Sequence, residues 1–302
     1  MTPGSGEGRA TATARRLRNV LHKRGYQTAM RTYTTLAALE RWAKTCDADF
    51  THLVCIGGDA TQSAAARAAV RLSVPFVPIP NGFGNMFARA FGHPDRVEQV
   101  AALLEDGELR RVDIGIANEG ELFLSHRSYG PLEQIQQTVE TGGGQPKSRL
   151  ARHLAYYGMA KRFLIDTRLP SIRVEVDGTV IAEDAGLVTV ANVETYRGFL
   201  TLTPTASPID GLFDVFIAPR TSRLRFNVRL LQLLLQTPGR WRGVALCRGR
   251  HVVVTVNNRR REELKTLRRV LPLLVPRGSA ERLAERTRDA AADIHEAMVR
   301  VS

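Results

Sequence analysis

The chain has 302 residues, 43% hydrophobic and 24% charged, with a formal net charge of +13 and 6% aromatics. That length can bury a sizeable core and suits two domains, and the composition is that of a soluble globular protein rather than a disordered one. The richest apolar run, residues 230–235, is broken by Gln232 and falls far short of the ~18 residues that span a bilayer.

The positive charge favours anionic partners such as acidic lipid headgroups or nucleotide phosphates. Nucleic acid is the disfavoured partner, because no helix-turn-helix, zinc-finger or aromatic-rich RNA signature accompanies the charge. The opening MTPGSGEGRA has no apolar stretch of the kind a secretory signal needs. Cys46, Cys55 and Cys247 have no metal-ligand spacing and read as reduced thiols, so a cytoplasmic location is expected.

In chain order, residues 10–24 suit a helix stopped at Gly25, residues 27–33 a short strand and residues 35–44 a second helix. The run THLVCI then forms a strand, residues 61–72 an alanine-rich helix and VPFVPI a further strand. Residues 85–91 and 95–105 read as helices. This βα alternation implies a parallel sheet covered by helices.

After Arg110 the texture changes. DIGIANEGELFLSH is two short strands around an Asn-Glu-Gly turn, followed by a glycine-rich stretch at 141–148 and a helix at 149–165. SIRVEVDGTVIAE is a hairpin turning at Asp177-Gly178, and GLVTVANV, FDVFIA and HVVVTV add strands. Residues 223–236 form a basic amphipathic helix with a leucine-rich face, for core packing or membrane contact. The tail, residues 279–301, aligns Leu283, Ala290, Ile294, Met298 and Val301, either to dock on its own domain or to form a homodimer contact.

The chemistry concentrates at residues 51–89. One apolar strand ends at Gly57-Gly58-Asp59-Ala60-Thr61, and a second ends at Pro80-Asn81-Gly82-Phe83-Gly84-Asn85. Glycines at the carboxyl ends of parallel strands let backbone N–H groups approach a ligand, and two neighbouring loops make one crevice. Two ordinary tight turns in an α/β protein are the plain alternative.

These motifs resemble the diacylglycerol kinase catalytic-domain family of bacterial lipid kinases and sphingosine kinases. Its signature is Gly-Gly-Asp-Gly-Thr after one strand and Pro-x-Gly-Thr-x-Asn-Asp-Phe-Ala-Arg after the next. The ordered set continues with Thr2-Pro3-Gly4-Ser5-Gly6 at the place of the family's nucleotide loop, and with the hairpin around Asp113. It ends with Asn192, Gly198, Pro204 and Ala206 leading into Ser207-Pro208-Ile209-Asp210-Gly211-Leu212-Phe213-Asp214. A β-strand precedes the first loop in family members and none is readable here; either the reading frame starts late or the sheet lacks that strand.

The resemblance implies an α/β nucleotide-binding domain at 1–112 with a parallel sheet, as in NAD kinase and diacylglycerol kinase. A mainly antiparallel β lipid or substrate domain would follow at 113–276, and a C-terminal helix at 277–302 would return to the first domain. ATP would be held by Ser5, Gly6, Thr32, Gly57, Gly58, Asp59, Ala60, Thr61, Gly82, Gly84 and Asn85. Asp59 would orient a metal-bound water or cap a helix, and Asp59, Asp113 and Mg²⁺ would arrange the phosphates. A structural magnesium site is implied at the carbonyls of Ser207 and Leu212 and the carboxylate of Asp210.

Three positions depart from the pattern. Ala60 replaces a glycine, at a cost of roughly 1 kcal/mol if the position needs φ > 0. Phe83 and Met86 stand where the family has a threonine and an aspartate. The family's C-terminal Asp-Gly-Glu, source of the general base, is missing: Glu262 and Glu263 are the only acids between Val252 and Pro276, and they read as a solvated charged turn.

Two functions follow: an ATP- and Mg²⁺-dependent lipid kinase acting on a diacylglycerol-like or sphingoid alcohol, peripheral at an anionic membrane, or a catalytically impaired member that binds nucleotide or lipid as a regulator. The NAD kinase architecture shares Gly-Gly-Asp-Gly-Thr and is the weaker third reading.

Overall fold

The computed structural model describes residues 7–47, 49–82, 84–118, 120–131, 133, 169–194, 202–222, 225–226, 228 and 244–299. Helices α1 (Glu7–Lys23) and α2 (Leu36–Thr45) come first; Thr35 caps α2, its hydroxyl accepting from Ala38 N at 3.2 Å. Residues 26–33 form no strand, contrary to expectation. Strand β1 (Leu53–Gly57), helix α3 (Asp59–Leu72) and strand β2 (Phe76–Pro80) follow, with β1 and β2 parallel in the register Gly57↔Pro80. Among the described residues β1 is the sheet edge. Helices α4 (Met86–Ala90) and α5 (Val97–Asp106) complete the first lobe.

The apolar runs of β1 and β2 are buried on both faces. Cys55 and Phe76 pack with Ala65, Ala66 and Ala69 of α3, while Ile56, Val77 and Ile79 pack with α1 and α5. Alternate residues along a strand point to opposite faces, so a strand covered twice needs apolar residues throughout.

The second lobe is antiparallel. It contains β3 (Glu108–Ala117), β4 (Glu121–Phe123), β5 (His126–Tyr129), β6 (Ile172–Val176), β7 (Thr179–Ala191), β8 (Phe213–Pro219), β9 (Ala245–Gly249) and β10 (His251–Val256). The β6–β7 turn is the expected Asp177-Gly178, both at positive φ (48° and 84°), as a two-residue type I′ turn requires. Its core gathers Phe123, Tyr129, Val174, Val190, Phe213, Val254 and Leu264.

Strand β11 (Arg260–Val275) is the main departure from the sequence reading, which placed Glu262 and Glu263 in a solvated charged turn. It pairs with β10 over Arg260–Lys265, with β3 over Leu264–Leu267 and Leu271–Val275, and with β2 at Leu273↔Phe76. The β3 register shifts between Leu267 and Leu271, where Arg269 takes φ 53°. This ribbon joins the two lobes. Helix α6 (Ser279–Val299) then places Leu283 in the core with Phe87 and Phe91. The predicted helix at 149–165, the glycine-rich stretch at 141–148 and most of 223–236 lie outside the described residues.

Candidate functional site

The two glycine loops meet. A Cβ on Gly82 would stand 2.5 Å from Gly58 Cα, so the backbones touch at a point where only glycine fits. Asn85, 3% exposed and at φ 50°, clamps the second loop: its Oδ1 accepts from Gly82 N at 2.9 Å and its Nδ2 donates to Gly82 O at 2.7 Å. Asp59 ties the loops together. Its carboxylate accepts from Asn85 N and Met86 N, each at 2.8 Å, which anchors it at the start of α4. An acid there also complements the positive end of that helix. Of the two roles expected for Asp59, the geometry displays the helix-capping one, on α4 rather than on the adjoining α3.

The N-cap of α3 is Gly58, which supplies no side-chain cap. The first N–H groups of a helix have no intrahelical partner, so an uncapped N-terminus at a strand end suits a phosphate. Ala60 lies in the first turn of α3 with helical rather than positive φ, so the expected backbone strain is not incurred. Thr61 is buried, and its side chain lies where a Cβ on Gly57 would stand, 2.6 Å away. Gly84 leaves room for the Asp59 carboxylate, 2.7 Å from where a Cβ would be.

Gln62 was not singled out from the sequence. It is fully buried, and its Nε2 donates to Gly57 O at 2.9 Å and Ile79 O at 3.4 Å, which ties the ends of β1 and β2. One amide within an alanine-rich buried helix face was the available signal. Thr32 is exposed in the irregular stretch before α2, and no described hydrogen bond links it to the glycine loops. Ser5, Gly6 and Phe83 lie outside the described residues.

At the 207–212 turn the Asp210 carboxylate, one of the three implied magnesium ligands, is engaged by protein groups. Asp210 Oδ2 is paired with the Arg248 guanidinium, and its Oδ1 accepts from Leu212 N at 3.0 Å. Burial raises the Asp210 pKa and Arg248 opposes that rise. The Arg248 Nε also donates to Asp214 at 2.8 Å, so one guanidinium bridges both acids, of which Asp210 was the implied magnesium ligand. Asp113, 1% exposed, holds the turn from below. Its oxygens accept from Gly211 N (2.6 Å) and Arg269 N (2.7 Å), so both its oxygens serve backbone N–H groups rather than phosphates.

Thermal unfolding without nucleotide should therefore be indifferent to Mg²⁺ or chelator. Arg248→Ala should cost about 2 kcal/mol by leaving Asp214 Oδ1 without its charged partner, with Thr205 alone still donating to Oδ2, and should make the midpoint rise with added Mg²⁺. A saturable Mg²⁺ response of the unsubstituted protein would contradict this assignment.

Two family models match the chain in series: the diacylglycerol kinase catalytic domain over residues 1–117, and the YegS C-terminal NAD kinase beta sandwich-like domain over residues 143–266. The chain belongs to the diacylglycerol kinase catalytic-domain family. It is 28% identical over 209 residues to a Bacillus subtilis protein named diacylglycerol kinase, covering 64% of this chain and 67% of that protein. A Mycobacterium tuberculosis protein of the same name is 28% identical over 174 residues, covering 56% of this chain and 55% of that one. The chain thus spans little more than half the length of the second relative. A crystal structure described as a Bacillus anthracis diacylglycerol kinase superposes with TM-score 0.57 at 17% identity, covering 83% of this chain and 85% of that one, which shows a shared fold.

Against the family's Asp-Gly-Glu, the β10–β11 turn here is Asn257-Asn258, both at positive φ (52° and 54°). Glu262 is not in a solvated turn, as expected from the sequence, but inward on β11 and 3% exposed. It accepts from Arg260 at 3.0 Å, and Arg260 also pairs with Glu133 at 2.5 Å and lies 5.8 Å from the Tyr129 ring centroid. Burial, then the Glu262 charge, pushes the Tyr129 phenol up. Glu263 is paired with Arg261 at 2.6 Å, which holds its carboxyl below the usual range. Both acids are committed to arginines.

Proposed function

We propose that this lipid kinase family member binds the phosphates of ATP at the junction of the Gly57–Thr61 and Gly82–Asn85 loops, and that its phosphoryl transfer to a lipid alcohol is slow. The observation that carries the reading is the contact of two glycine-ended parallel strands at the uncapped N-terminus of α3. Backbone N–H groups there can hold and orient anionic oxygens, which is most of what phosphoryl transfer asks of a protein.

Magnesium would accompany the nucleotide as part of the substrate. The acceptor would be a diacylglycerol-like or sphingoid alcohol, presented at an anionic membrane surface to which the +13 charge is drawn. No described helix is long and apolar enough to cross a membrane.

Slow transfer follows from the engaged acids. Asp59 is bound by two N–H groups, Met86 offers no carboxylate, and Glu262 and Glu263 are ion-paired. A missing general base costs ~100-fold or more. A binding regulator is the limiting case of this reading.

Radiolabelled ATP with mixed lipid vesicles and Mg²⁺ tests it. Turnover should be low and unchanged by Glu262→Gln with Glu263→Gln; robust activity that collapses in that double variant would instead identify a substitute base. Nucleotide titration tests the junction separately. Gly82→Ala, which drives a methyl into Gly58, should weaken ATP at least about tenfold, since a small misplacement of positioning groups is costly. Unchanged affinity in a folded Gly82→Ala protein would remove the site.

A further inference from the structure

A half-open cavity of about 410 Å³ lies between the C-terminal end of α4 and the first turns of α6. Arg89, Gly92, Ser279, Arg282, Glu285 and Arg286 are among its walls. It sits at the opposite end of α4 from Asp59, whose carboxylate binds the first N–H groups of that helix. It is therefore separate from the glycine junction.

Three observations at this cavity point to an anion. The first is the N-terminus of α6, a helix of 21 residues, whose first helical bond runs from Arg282 N to Gly278 O. Helix N-termini carry partial positive charge and unpaired N–H donors. The second is Ser279 in the first turn. It is 3% exposed, and its Oγ is buried with no hydrogen-bond partner among the described residues. Buried hydroxyls are ordinarily partnered, and one left without a partner beside a cavity marks a place for a ligand atom.

The third is the placement of the arginines. Arg282 folds back over the helix start, with its Nη1 3.1 Å from where a Cβ on Gly278 would be. Both Arg89 and Arg282 are exposed, and a guanidinium beside the positive end of a helix adds to the local positive charge that an anion can meet. Neither Arg89 nor Arg282 has an ion-pair partner among the described residues. Arg286 donates to Ala90 O at 2.6 Å, which fixes the wall on the α4 side.

We propose that this cavity binds a phosphate monoester. The phosphate would lie between the first turn of α6, the Ser279 hydroxyl and the guanidinium groups of Arg282 and Arg89. Guanidinium and phosphate match as a forked donor and a multi-oxygen acceptor. The volume exceeds what a bare phosphate fills and falls in the range of small-molecule sites. Glu285 and Asp289, farther along α6, face the body of the ligand and favour one bearing hydroxyl groups while rejecting a second anionic group. The phosphate can come from a soluble metabolite or from a lipid whose headgroup is a phosphate monoester.

The full-length protein should be titrated calorimetrically with glycerol 3-phosphate and with inorganic phosphate. In parallel it should be sedimented with vesicles of phosphatidylcholine containing either phosphatidic acid, a monoester, or phosphatidylglycerol, a diester. Saturable binding of glycerol 3-phosphate, weakened about tenfold or more by Arg282→Gln and separately by Arg89→Gln, would establish a soluble ligand. A preference for phosphatidic acid over phosphatidylglycerol that vanishes in Arg282→Gln would establish the lipid source. Ser279→Ala should weaken whichever ligand binds by several-fold while leaving ATP affinity unchanged. Denaturant midpoints of the three variants close to that of the unsubstituted protein keep the comparison interpretable. Absence of saturable monoester binding, binding indifferent to both arginine substitutions, or equal sedimentation with both anionic lipids in Arg282→Gln and unsubstituted protein would overturn the proposal.

Discussion

Met86→Asp should destabilise the protein by about 4 kcal/mol rather than rebuild a metal network. From sequence alone the substitution looks restorative, because the family carries an aspartate at this place. In the fold the Met86 side chain is 6% exposed and packs in the core with Phe87, Phe91, Leu122 and Leu124. Aspartate there forfeits that burial, desolvates a charge and sets a second carboxylate beside Asp59. Its backbone N–H is already bonded to Asp59, so the new acid does not gain that donor. Met86→Leu, nearly equal in volume, should cost less than about 1.5 kcal/mol. Urea unfolding of the two variants separates the cases. A stable Met86→Asp protein with tighter Mg²⁺-dependent nucleotide binding would show that this side chain can turn outward to the junction.

Acid sensitivity centred on His93 should be the second large effect. This imidazole is 6% exposed, and its Nε2 lies 2.9 Å from Leu274 O, which links the end of α4 to β11. Burial pulls its pKa down to about 4, against weaker opposition from the Leu274 and Ala88 carbonyls. The folded protein thus holds the ring neutral, whereas the unfolded chain takes up a proton below the ordinary value near 6.5. Between those values the unfolded state binds more protons, so stability is complete above about 6.5 and is lost as pH falls toward about 4. The full loss amounts to about 3 kcal/mol. His93→Gln retains a donor for Leu274 O and cannot titrate, so the gap between it and the unsubstituted protein should narrow by that amount from pH 7.5 to pH 4. Parallel stability–pH curves for the two proteins would refute the assignment.

Much of the first lobe was legible because its signals are local. The double-glycine strand ends, the start of α2 near Thr35 and the alanine-rich α3 all depend on neighbours within a few residues, as does the Asp177-Gly178 turn of the second lobe. The candidate junction was legible to the same extent: Gly57, Gly58, Gly82, Gly84 and Asn85 come together as expected. Thr32 is not joined to them by any described hydrogen bond, because residues 26–33 lack the strand that would have given their position meaning.

The sequence by itself determined the family, the α/β-then-β order of elements and the place where two glycine loops meet, since turn chemistry and the side-chain periods of helix and strand are read along the chain. The tertiary structure alone decided what the charged groups do. Glu262 and Glu263 read as a solvated charged turn until β3, β10 and β2 supply partners for the backbone of Arg260–Val275, which makes that strand the ribbon between the lobes. Asp59 finds its donors 26 and 27 positions away, Asp210 meets Arg248 38 positions away, and Asp113 accepts from N–H groups 98 and 156 positions away. A carboxylate's role depends on which positive group or N–H reaches it first once water is excluded, and that is a property of distance in space.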